Sequence, residues 1–265
     1  LFPYTTLFRS ATDEIHKSDP DFKLIYGCEA YFVDDMVPCV YGVKDQPLEG
    51  EFCVFDTETT GLDPGVEYLT EIGAVIVRNG EVVEEFDTFV KPGKPITPKI
   101  TELTGITNEM VADAPGEKEA LEAFLRFADG RILVAHNAHA FDIRFLKAAA
   151  KRSGISFEPT YIDTLTMAQA MYPGLHNYKQ GTINKHLELP SYEAHRACED
   201  SAALGRIFCV MLSDLAEKEV TTVEGINTGL GGNREVLKKK YFHLIILVKN
   251  QMGLKNLYKI GRAHV

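Results

Sequence analysis

No apolar run in this chain approaches the roughly 20 residues needed to span a bilayer, and no secretory leader precedes the first expected strand. A membrane protein is therefore not expected. Cysteine is scarce: Cys28, Cys39, Cys53, Cys198 and Cys209 form no Cys-x-x-Cys pair and are odd in number. That pattern argues against structural zinc or a disulfide framework and for reduced thiols in a cytoplasm. Positive charge is also in short supply. A net charge of −10 argues against a large non-specific DNA-binding surface, but not against a small cleft in which metal ions offset phosphate charge. The 265 residues, 45% hydrophobic and 25% charged, have an ordinary globular composition and suffice for one large domain or two.

Residues 51–62 organise the rest. The apolar run 52–55 reads as a central strand buried on both faces, and it ends in Asp56 and Glu58. Side chains two apart on extended backbone point the same way, so both carboxylates can face one ligand. Their mutual repulsion is relieved by a divalent cation, and Mg²⁺ prefers one or two carboxylates plus substrate phosphate oxygens. A strand running into an acidic Thr/Gly-rich turn is the alternative on this stretch alone.

Segments 68–78 and 82–90 read as strands joined through Asn79-Gly80, a strong hairpin signal. The first three strands then form an antiparallel meander. Residues 97–129 suggest short helices, 131–135 another strand, and 139–152, 164–172, 180–188 and 196–216 carry helical periodicity. The order predicts an α/β fold, a mixed sheet with helices packed on it.

Two of those helices place a charge on the core-facing stripe. Asp142 shares a face with Phe145, Leu146 and Ala149, and Asp200 shares one with Leu204, Ile207 and Met211. A carboxylate buried without a partner costs several kcal/mol or neutralises. With Asp56 and Glu58 they make a four-carboxylate constellation that calls for about two divalent cations. His195 precedes Asp200 by five residues. Alone it reads as an inert surface residue; beside a metal cluster it becomes a candidate general base, because imidazole is largely neutral at cellular pH.

The motifs Asp56-Thr57-Glu58-Thr59-Thr60-Gly61, His136-Asn137-Ala138 with Phe141-Asp142, and His195-Arg196-Ala197 with Asp200 resemble the three motifs of the DEDDh 3′–5′ exonucleases. The resemblance implies a ribonuclease H-like fold with a five-stranded mixed sheet, and two-metal phosphodiester hydrolysis with Mg²⁺ or Mn²⁺. By that likeness Asp56, Glu58 and Asp200 would hold the metal beside the attacking water. Asp56 and Asp142 would serve the leaving-group metal, and His195 would take the water's proton. Thr59, Thr60, Gly61 and Leu62 would grip the 3′-terminal nucleotide, Leu62 and Phe141 offering surface to a base, with His136 and Asn137 also contacting substrate. Asp163 matches a supporting acidic position. The second motif carries one extra residue, His139 or Ala140, which suggests a bulged helix start; His139 itself reads as surface.

The flanks resemble a divided polymerase-and-histidinol-phosphatase (PHP) domain. Tyr26-Gly27-Cys28-Glu29-Ala30 matches its first part and Tyr241-Phe242-His243 its resumption, with Glu29 and His243 at metal-ligand positions. The incomplete ligand set predicts no finished PHP metal site. An exonuclease inserted in a PHP domain is the arrangement of the PolC-type DNA polymerase III family. The expected organisation is a PHP part at 11–47, the exonuclease at 48–218, and a linker with the second PHP part at 219–259. Residues 1–10 and 260–265 resemble translated sequencing adapters. The expected partners are a single-stranded or frayed DNA 3′ end, the polymerase chain, and a replisome with its sliding clamp. A separate DEDDh nuclease acting on RNA or short oligonucleotides, and a module that binds strand ends without cutting, are the alternatives.

Overall fold

The computed structural model describes residues 14, 17–19, 21, 25, 27–32, 37–192, 196–230 and 242–262. The chain divides into two compact units, Met36–Leu237 and the flanks Leu1–Asp35 with Lys238–Val265. In the flanking unit β1 (Gly27–Phe32) pairs antiparallel with β8 (Phe242–Leu247), with Tyr31 opposite His243, and a helix, α8 (Gln251–Arg262), follows. The adapter-like residues 1–10 lie outside the described residues, while 260–262 close α8.

The larger unit holds a six-stranded mixed sheet in the order β2-β7-β6-β3-β4-β5. Its strands are β2 (Val40–Tyr41), β3 (Phe52–Thr59), β4 (Leu69–Arg78), β5 (Glu81–Phe89), β6 (Ile132–Ala135) and β7 (Tyr161–Asp163). β3, β4 and β5 form the expected meander, and Asn79 and Gly80 turn it with φ of 52° and 76°. That left-handed pair is what a two-residue hairpin loop needs. β6 and β7 join in parallel.

Helices cover both faces. One core collects Phe52, Val54, Val75 and Val134 against α4 (Thr164–Met171), α5 (Gln180–His186), α6 (Ala197–Glu217) and α7 (Val223–Gly229). The other collects Cys53, Phe55, Ile76 and Leu133 against α2 (Glu117–Ala128) and α3 (Asp142–Ser153). The short α1 (Pro98–Thr104) adjoins a third small cluster of Ile96, Ile106 and Val111. Alternation along β3 sends successive side chains to opposite cores.

Two expectations need correction. The sheet has six strands, not five, because Val40 and Tyr41, placed with the PHP part at 11–47, pair with Ile162 and Tyr161. Residues 219–230 are also more than a linker. Val220, Val223, Ile226 and Leu230 are buried in the core. Asn227 accepts from the Cys39 and Val40 amides at 2.7 and 3.0 Å and donates to the Val40 carbonyl at 3.0 Å. This side chain satisfies the short edge strand as a further strand would.

Candidate active site

β3 runs from core into site without a break. Its alternation puts Asp56 and Glu58 on the α6 side and Thr57 on the α3 side. Asp200 comes from the first turn of α6, whose Leu204, Ile207 and Met211 are fully buried as the stripe predicted. One carboxylate oxygen each of Asp56, Glu58 and Asp200 lies within 4.8 Å of the others, and all three residues are half-buried.

The close approach of α6 depends on Gly73, which pairs with Asp56 across β3 and β4. A Cβ on Gly73 would lie 2.1 Å from the Ala197 carbonyl carbon and 2.2 Å from the Cys198 nitrogen. Only glycine lets the helix start lie flat on the strand here.

Asp142 opens α3 on the opposite face and is buried. Its Oδ1 accepts from the Thr57 amide at 3.2 Å and the Thr57 hydroxyl at 2.7 Å. It stands outside the three-oxygen group, yet its charge acts on that group. Burial, then the charges of Asp142, Asp200, Glu58 and Glu71, raise the Asp56 pKa well above the ordinary carboxylate value. Burial and the charges of Asp200, Glu71 and Asp142 push Glu58 up to about 8. Burial raises Asp142 too, against the opposing hydrogen bonds from Thr57. Such a cluster holds protons in place of cations, and its all-oxygen donor set fits a hard divalent ion such as Mg²⁺ or Mn²⁺.

The turn after β3 is closed by its own side chains. Thr59 donates to the Gly61 carbonyl at 2.6 Å; Thr60 donates to Glu67 and accepts from the Tyr68 amide at 3.0 Å. Leu62 is left 85% exposed. Thr59 and Thr60 thus shape the turn.

In the second motif, His136 Nε2 meets the Tyr178 carbonyl at 2.8 Å and Nδ1 the Thr164 hydroxyl at 3.0 Å. A carbonyl only accepts, so Nε2 carries the proton, and burial lowers the ring's pKa. His136 therefore holds the loop, with both nitrogens committed inside the protein. Asn137 takes φ of 64°. Asp163 accepts from the Asn137, His139 and Leu165 amides, at 3.1, 3.1 and 3.0 Å, and so braces the loop from the start of α4.

The extra residue is absorbed before α3, which starts at Asp142 and not at 139. The Ala140 and Phe141 amides both donate to the Asn137 carbonyl, and the Phe141 ring packs 4.9 Å from Phe145. His139 is exposed but not idle. Its Nδ1 lies 2.7 Å from the Tyr161 hydroxyl, and its ring stacks on Tyr41 at 4.2 Å. Asn137, Gln169, Lys179 and Gln180 line an open cleft, and Gln180 donates to the Asp200 carbonyl at 2.7 Å. His195, the expected base, lies outside the described residues.

The motifs missed Glu71, which is fully buried and bonded to Arg196 and the Ala197 amide. A lone carboxylate ahead of the apolar run 72–77 of β4 was the available signal.

The family model described as Exonuclease (RNase T) matches residues 53–208, more than half of the chain. The protein belongs to this exonuclease family, and the family together with the acidic cluster implies divalent metal ions. More particularly, the chain is 48% identical over 240 residues to the PolC-type DNA polymerase III of Caldanaerobacter subterraneus subsp. tengcongensis, covering 90% of this chain and 17% of the relative. The PolC-type DNA polymerase III of Bacillus subtilis is 37% identical over 248 residues, covering 92% and 17%. The chain thus spans about a sixth of the length of these relatives.

Among solved structures, exonuclease X in complex with 5′ overhanging duplex DNA superposes with a TM-score of 0.51 at 26% identity, covering 68% of this chain and 99% of that one. The nuclease domain of 3′hExo, a DEDDh family member bound to rAMP, gives 0.54 at 22% identity, covering 62% and 92%. The fold is ribonuclease H-like. Among the described residues no helix is long and apolar enough to cross a membrane.

Proposed function

We propose that this chain is the metal-dependent 3′–5′ exonuclease portion of a PolC-type DNA polymerase III, removing nucleotides from DNA 3′ ends during proofreading. The observation that carries the proposal is the convergence of Asp56, Glu58 and Asp200, with Asp142 held just beyond them by Thr57.

Asp56, Glu58 and Asp200 would hold one divalent cation, Mg²⁺ or Mn²⁺, and Asp56 with Asp142 would serve a second; such ions would supply a more acidic water and charge stabilisation for phosphodiester hydrolysis. His195 takes the proton as water attacks the terminal phosphorus and the bond to the preceding 3′ oxygen breaks. The turn ending at Leu62 seats the terminal nucleotide, and the exposed Leu62 side chain offers its base an apolar surface. Phe141 is half-buried and offers only the part of its ring that Phe145 leaves uncovered. The amides and the lysine of the cleft at Asn137, Gln169, Lys179 and Gln180 suit the polar backbone of a single strand.

The pairing of β1 with β8 supports reading the two flanks as parts of one body, the divided PHP domain. The rest of the polymerase chain, the sliding clamp and a cytoplasmic setting follow from the same reading. The unbridged thiols of Cys53, Cys198 and Cys209 agree with that setting.

The test offers 5′-labelled DNA primers with matched or mismatched 3′ ends, and RNA of the same sequence, with Mg²⁺ or Mn²⁺. Faster shortening of the mismatched DNA from its 3′ end supports proofreading. Equal or faster shortening of RNA favours a general end-trimming nuclease, and binding without cutting favours an end-binding module. His195→Ala lowers the rate by about 10²–10⁴-fold if His195 is the base.

A further inference from the structure

Glu71 stands directly opposite Glu58 across β3 and β4 and is fully buried. Like charges at opposed strand positions destabilise a sheet, and a buried carboxylate without a partner is costly. Glu71 has three donors at the start of α6, and Asp87 of β5 also meets its side chain. Arg196 Nη2 and Nε donate to Oε1 at 2.8 and 3.1 Å, and the Ala197 amide donates to Oε2 at 3.0 Å. The Ala197 amide is one of the first-turn N–H groups that a helix leaves without an internal acceptor. The guanidinium lies 5.4 Å over the Phe89 ring, so aromatic contact and carboxylate together hold it.

Asp200 belongs to the same turn. Its amide donates to the Arg196 carbonyl at 2.9 Å, so the clamped residue and the cluster carboxylate are joined by one helical hydrogen bond. Two residues along β4, Gly73 lets Ala197 and Cys198 lie against the strand opposite Asp56. The clamp and the close approach therefore fix one rigid turn from two sides.

We infer that Glu71 is a positioning residue for the carboxylate cluster: through Arg196 and the Ala197 amide it sets the first turn of α6, and with it the place of Asp200 beside Asp56 and Glu58. The inference rests on the proposed function only in taking that cluster as the cation site. It also explains why one of two facing glutamates is open to a cation and the other is not. Glu71 accepts three hydrogen bonds from Arg196 and Ala197; Glu58 faces the cluster.

The test uses the full chain and compares the parent with Glu71→Gln, Arg196→Ala and Arg196→Lys, with circular dichroism confirming the fold. Mn²⁺ binding is followed directly by the paramagnetic signal of the unbound ion, beside hydrolysis of a 5′-labelled single strand. Glutamine offers one acceptor where three donors converge, so Glu71→Gln weakens Mn²⁺ binding and lowers kcat by about 10–100-fold, the range for residues that orient metal ligands. KM for the strand stays near the parent's. Arg196→Ala behaves alike, and Arg196→Lys, which keeps the charge and a donor, recovers part of the loss. Amide exchange at residues 197–201 quickens in the first two variants. Should Glu71→Gln fail to fold, Arg196→Ala carries the test, because the Arg196 side chain is 40% exposed. Parental Mn²⁺ affinity in Arg196→Ala and in any folded Glu71→Gln overturns the inference. A parent that binds Mn²⁺ but cuts nothing defeats the hydrolytic reading, while the Mn²⁺ shift still decides the clamp.

Discussion

Thr57 and Asp142 are joined twice, by the Thr57 amide at 3.2 Å and its hydroxyl at 2.7 Å, both donating to Asp142 Oδ1. Thr57 sits between two members of the carboxylate cluster and points away from them. The strand that carries Asp56 and Glu58 thus also aligns the carboxylate on its other face. The four acids are positioned by β3 itself, by α3 fastened through Thr57, and by α6 fastened through Glu71.

Thr57→Val keeps the shape and removes the hydroxyl. Asp142 is buried, so losing its shorter bond costs about 1–3 kcal/mol of stability. The lost bond favoured the charged carboxylate, so the Asp142 pKa rises further. Thermal unfolding checks the first effect, and a shift of the activity profile to higher pH checks the second.

The sequence made the four carboxylates legible because each broke a pattern. Asp56 and Glu58 end an apolar strand, and Asp142 and Asp200 interrupt helical stripes whose other members are buried. Glu71 broke a pattern as well, but its partner Arg196 lies 125 residues away, and no local period links them. The sixth strand was hidden for a related reason. Val40 and Tyr41 form only two paired positions, and what completes them is the Asn227 side chain, 187 residues from Val40. The start of α3 was misplaced because one extra residue was taken up in a turn on the Asn137 carbonyl, where periodicity continued into the loop.

Without divalent ions the protein loses stability as pH rises. Glu58 moves from the ordinary 4.5 up to about 8 on folding, and Asp56 and Asp142 move the same way. A carboxyl whose folded pKa is raised stabilises fully below its unfolded value, and that contribution disappears as pH rises through the folded one. In EDTA the Tm contribution of the cluster therefore falls between about pH 5 and pH 8. Saturating Mg²⁺ or Mn²⁺ raises Tm more at the upper end, because the ion binds the deprotonated ligands. Calorimetric scans across that range, with and without metal, check both slopes. Asp56→Asn in EDTA at the upper end unfolds at a higher temperature than the parent, because one of the repelling charges is gone.

Gly73→Ala forces its methyl group into the Ala197 and Cys198 backbone, which a side-chain rotation cannot relieve. Overpacking of this kind costs about 1–3 kcal/mol. The shift of α6 also separates Asp200 from Asp56, so Mn²⁺ affinity falls with stability. Urea unfolding and Mn²⁺ titration of one preparation check the pair.

A fragment limited to residues 48–218 is less stable than one spanning 36–237, the bounds of the compact unit. It lacks Val40, Val220, Val223 and Ile226, all buried, and the Asn227 bonds to β2. Burial of each such aliphatic side chain is worth about 1.5–3 kcal/mol. Denaturation midpoints of the two fragments check the difference.

The most direct measurement follows a 5′-labelled single DNA strand incubated with the full chain and Mg²⁺ or Mn²⁺, beside Asp56→Ala and an EDTA control. The account predicts a ladder shortening from the 3′ end with the parent, and an intact strand with EDTA and with a folded Asp56→Ala. Cleavage by Asp56→Ala at the parent's rate, or an untouched strand with a folded, Mn²⁺-binding parent, would contradict it.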